Sequence, residues 1–297
     1  MEQLDEKMLM EKYKLSEEEH NLIGLRIEDI FLSDKFPVVK PKAIIDIAPP
    51  ASGKTGLNIF GRDQFVNDNV VIINSDEIKA FHPNGDNVAK LYPQFYTKIT
   101  DQESNTWTSS LFDRALREGY NVIFEGTGRN ARILNTIRDK MPGYEVIVRG
   151  MAVNKLNCLM SILERYASQV ETRGWGRLVT LDHFLETYEE MPKTIDAIEK
   201  SGIVHKVEVY RRGERPSSPV KIYGSDEIGR YENAKIATLS GRTDDLGVAI
   251  SYFERNRDFF QKLLKEKKMS IGESKILVEI LHIYEESIKE IQEQVLK

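Results

Sequence analysis

The side chains able to do chemistry in this sequence sit where apolar runs end. The first such place is KAIIDIAPPASGKT, residues 42–55, where the apolar run 43–47 stops at a proline-bearing turn. Gly53-Lys54-Thr55 closes the turn and a helical pattern follows. Strand, turn and helix in that order read as a phosphate-binding P-loop, in which backbone N–H groups wrap an anion at the positive end of a helix. On this reading Ala51, Ser52 and Gly53 cradle phosphates, Lys54 reaches the outer ones and the Thr55 hydroxyl ligates magnesium. The loop departs from the motif in being Ala48-Pro49-Pro50-Ala51-Ser52, with Gly53 its one glycine. Glycine is usual in such loops because the backbone visits positive φ and presses on its ligand. The two prolines stiffen the turn and remove two donors.

Two further runs end in carboxylates. Residues 70–74 deliver Ser75-Asp76-Glu77, and residues 122–124 deliver Glu125-Gly126-Thr127-Gly128-Arg129. Open α/β sheets place ligands at these carboxyl ends of strands. Arg165 lies on a predicted long helix, and Arg177 lies in a glycine- and arginine-bearing loop, residues 172–177, with the composition of a mobile lid. Phosphoryl transfer needs held phosphates, a magnesium ion, cations for transition-state charge and a base for the attacking hydroxyl. Lys54 and Thr55, then Asp76 and Glu125, then Arg165 and Arg177 supply that set in chain order, the arginines as fingers in cis. Each also has a plainer reading. A strand-end carboxylate caps a helix, Arg165 beside Glu164 makes a surface ion pair, and Arg173 and Arg177 are solvated. His82 before Pro83 is a turn residue, and Trp107 and Trp175 are packing residues. The shared order behind a GKT loop favours the chemistry.

The elements that position these groups follow from periodicity. Residues 1–36 read as helical, with Ser16 capping an acidic start and Leu22, Leu25, Ile27, Ile30 and Phe31 as the apolar face. Short apolar runs at 43–47, 70–74, 122–124, 145–153 and 206–211 read as buried parallel strands separated by helices. The fold expected is a P-loop kinase-like parallel sheet sandwiched by helices, with a helical C-terminal extension. Its parts are an N-terminal helical segment (1–42), a core (43–212) and the extension (213–297). Within the extension a small strand is expected at 220–223, a linker at 231–245 and two amphipathic helices at 246–268 and 270–297.

Bulk properties narrow the partners. A chain of 297 residues with 40% hydrophobic and 30% charged residues is an ordinary globular protein, and its net charge of −5 makes nucleic acid an unlikely partner. One cysteine, Cys158, suits a reducing cytoplasm, and neither a signal peptide nor a membrane span is legible.

Several segments together resemble the zeta toxins, bacterial P-loop kinases of toxin–antitoxin systems. These are INSDEIK at 73–79 with His82-Pro83-Asn84, YNVIFEGTGR at 120–129, MAVNK at 151–155 with Glu164-Arg165-Tyr166, Arg177, Met191-Pro192, and Ser201-Gly202. The resemblance spans about residues 12–212. It implies that Asp76 is the base, and that Lys54, Arg165 and Arg177 hold the ATP phosphates with magnesium at Thr55. It places Glu125 and Thr127 at the acceptor-sugar site, and implies that ATP phosphorylates the 3′-hydroxyl of the aminosugar of UDP-N-acetylglucosamine, with a small antitoxin as a possible partner. Lys79, His82 and Arg129 belong to the same motifs and are expected, with Asp76, Glu125 and Thr127, to bind the substrate, and Lys79, Arg129 or Arg132 would neutralise a nucleotide-sugar diphosphate. Two other readings stand beside this one: a P-loop kinase of another hydroxyl acceptor, and a non-catalytic nucleotide-binding module.

Overall fold

Five apolar runs become the parallel strands of one sheet: β1 (Lys42–Ile47), β2 (Val71–Ile73), β3 (Val122–Gly126), β4 (Glu145–Met151) and β5 (Lys206–Arg211). The computed structural model describes residues 6–214, 218–243, 250–251, 254, 257–258, 261–262 and 271–295. A sixth strand, β6 (Val220–Gly224), pairs antiparallel with β5, and the order is β2-β3-β1-β4-β5-β6. The chain winds one way from β1 to reach β2 and β3 and the other way to reach β4. A cleft therefore opens at the carboxyl ends of β1 and its neighbours.

The helices are α1 (Glu6–Tyr13), α2 (Glu17–Leu32), α3 (Lys54–Arg62), α4 (Ser75–Ile78), α5 (Gly85–Leu91), α6 (Tyr96–Glu118), α7 (Arg132–Lys140), α8 (Lys155–Arg173), α9 (Leu181–Ser201) and α10 (Ala234–Gly241). Ala43, Ile45 and Ile47 share a core with Trp107, Leu111 and Phe112 of α6 and Met191 and Ile195 of α9. On the other side, Leu57 of α3 packs with Leu159 and Leu163 of α8 and with Leu277, Ile280 and Tyr284 of the helix Ile271–Val295. Alternation along β1 makes this division, because odd and even positions face opposite layers.

Three expectations change. On α2, Leu22, Leu25 and Ile30 are exposed, and the inward stripe is Ile23, Ile27 and Phe31 at spacing four. The helix meets α6 so closely that a Cβ on Gly24 would stand 3.2 Å from Trp107, which leaves room for only a narrow contact face. Residues 231–245, expected as a linker, contain α10. Asn233 caps it by accepting from the Ile236 N–H at 2.9 Å, and Ala234 and Ala237 join the main core. Small residues pack there without giving a strong apolar period. The expected helix 246–268 and the turn after it fall largely outside the described residues.

A row of charge crosses the sheet beneath α3. Asp46 is in register with Glu125 on one side and Arg149 on the other, and Arg149 is in register with Glu208. Arg149 donates to Glu208 at 3.1 Å and to Gln64 at 2.6 Å, with its guanidinium 5.6 Å from the Phe60 ring and 5.9 Å from the Tyr210 ring. Gly61 makes the room, since a Cβ there would come 2.9 Å from the guanidinium. Asp46 is 0% exposed and neither of its carboxyl oxygens has a hydrogen-bond partner. Burial pushes its pKa up to about 7; Arg149 opposes the rise and Glu125 adds to it.

This carboxyl sets a pH dependence of stability. Free Asp has a pKa of 3.8, so between 3.8 and about 7 the folded chain keeps a proton that the unfolded chain has released. The associated stability is complete below that window and is lost as pH rises through it, at up to about 1.4 kcal/mol per pH unit. Asp46→Asn removes the titration, so the variant gains Tm relative to wild type as pH rises from 4 to 8. Equal Tm differences at both ends, by calorimetry, would show that Asp46 does not titrate in this window.

Candidate active site

The loop between β1 and α3 is a tight turn. Ser52 is buried; its N–H donates to the Pro49 carbonyl at 3.3 Å and its hydroxyl donates to the same oxygen at 2.8 Å. Ala51 has φ 56° and Gly53 φ 103°. The left-handed region costs a non-glycine residue about 1–2 kcal/mol, so Ala51 sits where glycine would be relaxed. Arg212, just past β5, donates to the carbonyls of Ser52 (3.1 Å) and Ala51 and to the Ser161 hydroxyl (3.1 Å). Sequence reasoning missed this residue, and the only signal for it was a cation at the carboxyl end of a strand.

Lys54 bends back over the loop, its ammonium donating to the carbonyls of Ala48 (2.8 Å) and Pro49 (3.0 Å). Burial lowers its pKa, while Glu125 and Asp76 pull the other way. Thr55 is exposed on the first turn of α3, at the positive end of the helix dipole.

Asn74, at the end of β2, caps α4 by accepting from the Asp76 N–H at 2.9 Å, which fixes Asp76 on the first turn. Its second polar atom, Nδ2, donates to Glu125 at 3.1 Å, and Asn58 of α3 also donates to Glu125. One asparagine thus ties the Asp76 main chain to the Glu125 carboxylate. Burial raises the pKa of Glu125, against the pull of Lys54 and the Asn58 hydrogen bond.

Asp76 is paired with Arg177 at 2.6 Å and with Lys79 at 3.4 Å. Lys79 is buried and also binds Asp101 of α6 at 2.7 Å, a partner the sequence did not suggest. Burial by itself would raise the Asp76 pKa; Arg177 and Lys79 outweigh it and hold the carboxylate well below its ordinary range. Arg165 approaches from α8 with its Nε buried and unbonded, and burial followed by the nearby Arg177 lowers its pKa.

The loop after α8 is docked in this structure. Gly174 ends the helix at φ 77°, and Gly176 lies so close to Tyr166 that a Cβ would meet its carbonyl at 2.7 Å. Trp175 packs on Tyr96 with ring centroids 5.5 Å apart, and the Arg177 N–H donates to Gln169 at 2.9 Å. The segment the sequence marks as mobile is therefore tied at several points, with its arginine on Asp76.

Beyond β3 the chain turns through Thr127 and Arg129. The Arg129 N–H donates to the Thr127 hydroxyl at 3.4 Å, and its guanidinium reaches Glu186 (3.5 Å) and His183 (3.5 Å) of α9. Neither α9 residue was singled out from sequence. A cavity of about 170 Å³ opens beside this turn, floored by Ile45, Ile47 and Phe124 and rimmed by Thr127, Arg129 and Arg132. His82 does not join the cluster. It is 3% exposed, its Nδ1 accepts from the Asn84 N–H at 3.2 Å, and it closes the turn after α4.

A phosphate loop with its lysine, two carboxylates at neighbouring strand ends and two arginines arriving from one helix and the loop behind it make a P-loop kinase. The chain belongs to the zeta toxin family, whose model matches residues 29–227. That family consists of nucleotide-binding kinases that act as toxins of toxin–antitoxin systems, so the protein is a phosphotransferase of this class. It is 30% identical over 212 residues to the toxin zeta of Streptococcus pyogenes, covering 70% of this chain and 71% of that one, and matches the toxin zeta of Enterococcus hirae to the same extent. Among solved structures it is similar to one from the PezAT chromosomal toxin–antitoxin system of Streptococcus pneumoniae. The TM-score is 0.66 at 18% identity, over 85% of this chain and 99% of that one, a likeness of fold. No helix among the described residues is long and apolar enough to cross a membrane.

Proposed function

We propose that the chain transfers the γ-phosphoryl group of ATP to the 3′-hydroxyl of the aminosugar of UDP-N-acetylglucosamine. The observation that carries this reading is the Asn74 bridge, which ties the Asp76 main chain to the Glu125 carboxylate at two neighbouring strand ends, both carboxylates acting on Lys54. Lys54, the loop N–H groups, Arg165 and Arg177 bind the triphosphate. The Thr55 hydroxyl, exposed on the first turn of α3 beside them, fits a magnesium ion, which would supply neutralising charge to the outer phosphates when bound. Asp76 takes the proton as the acceptor O–H bond breaks. The oxygen forms a bond to the γ-phosphorus, the bond to the bridging oxygen breaks, and ADP leaves with that electron pair.

Glu125 accepts a hydrogen bond from the sugar, and Thr127 and Arg129 line its far side. Lys79, Arg129 and Arg132 supply cations for the acceptor's diphosphate. His82 acts on this site through the turn it holds. A small antitoxin protein is the partner expected of a chain in this family. Labelled ATP with UDP-N-acetylglucosamine, followed by mass spectrometry of the nucleotide-sugar, tests the reading. The expected product carries one added phosphate on the aminosugar. Transfer only to another hydroxyl compound would refute the acceptor and leave the kinase, and transfer to nothing would favour a binding module.

A further inference from the structure

We propose that Arg212 is a positioning residue for the phosphate loop, holding the carbonyls of Ala51 and Ser52 so that the Ser52 N–H closes the turn on Pro49 and the Gly53 N–H stays turned toward the donor. The proposal rests on reading this loop as the ATP site. A P-loop works only if successive peptide units present their N–H groups to one side. In a trans peptide the carbonyl of one residue and the N–H of the next point in opposite directions. The Arg212 guanidinium on the Ser52 oxygen therefore aims the Gly53 N–H away from Arg212, and its bond to the Ala51 oxygen does the same for the Ser52 N–H, which meets the Pro49 carbonyl.

This loop has particular need of such a brace. Pro49 and Pro50 contribute no N–H, so fewer donors remain and the orientation of each matters more. Ala51 holds a left-handed φ of 56° without glycine's freedom. Gly53, at φ 103°, lies against the brace, since a Cβ there would stand 3.6 Å from the Arg212 Nε. The third acceptor of Arg212, the Ser161 hydroxyl, is on α8 one turn before Arg165. One side chain from the end of β5 thus ties the phosphate loop to the helix that carries a phosphate-binding arginine.

Two readouts test this, and the first needs no nucleotide. In the free protein, backbone amide exchange over residues 48–56 is expected to rise about tenfold or more in Arg212→Ala, the change that follows loss of charge-assisted hydrogen bonds. Exchange elsewhere in the sheet stays unchanged. Arg212→Lys keeps one charged donor and falls between the two. Ser161→Ala, which leaves the loop contacts intact, loosens the loop least and covers the case in which Arg212→Ala fails to fold.

The second readout is kinetic. KM for ATP rises about tenfold or more in Arg212→Ala, KM for the acceptor is unchanged, and lysine restores part of the loss. Unchanged exchange in the loop of every Arg212 variant overturns the proposal. So does a fall in Tm with no selective change in KM for ATP, which would make Arg212 a staple of the fold alone. If wild type transfers phosphate to nothing, the functional reading falls, and the exchange measurement still decides the role of Arg212.

Discussion

Asp76→Asn is expected to lower turnover by about two to four powers of ten while ATP still binds, the usual loss when a general base is removed. Asparagine keeps the shape and the hydrogen-bond acceptor that meets Arg177, and gives up the charge and the ability to take a proton. The helix cap at this strand end is Asn74, so the substitution leaves α4 capped. Asp76 is half-exposed, and ion pairs of that kind contribute about 0–1 kcal/mol, so Tm should move little. The measurement is single-turnover transfer together with direct nucleotide binding. Retention of most of the wild-type turnover would make Asp76 a solvated turn residue with ion-pair partners and no part in the chemistry.

Arg177→Ala is expected to lower kcat by about three to five powers of ten, the range for an arginine finger. In the free protein this arginine holds the carboxylate proposed as the base, and the carboxylate is a poor proton acceptor while so paired. On the proposed mechanism Arg177 would leave Asp76 for the phosphates as the donor arrives, and Asp76 would regain basicity only in a filled site. The variant loses the transition-state charge and also loses that pairing. Its acid limb, where Asp76 protonates, therefore lies at higher pH than in free wild type, because removing a neighbouring cation raises a carboxyl pKa. Arg177→Lys keeps a charge but lacks the planar fork, so it recovers only part of the rate. A fall of less than tenfold, or an acid limb that does not move, would leave Arg177 as a loop anchor.

Much of this site was legible because its parts are local. The GKT turn, the carboxylate just past an apolar run, and Arg165 on a long periodic helix are each written within about ten residues. Strand and helix periods differ enough to separate them. Strand β5 falls on the expected residues, 206–211, for the same reason. The sequence by itself therefore determined the alternation of strands and helices, the phosphate loop, and which ionisable groups stand at strand ends.

The tertiary structure alone decided who meets whom. Arg212 reaches its loop across 160 residues, Arg149 reaches Glu208 across 59, and Arg129 reaches His183 across 54. Asp46 reads locally as a polar interruption in a strand. It became the middle of a buried charged row because the order β3-β1-β4-β5 put Glu125, Arg149 and Glu208 at its own level. Local patterns fix which face a side chain takes, and strand order and register fix its neighbours. Those are set by the burial of the whole sheet between two helical layers, which no short stretch of sequence encodes.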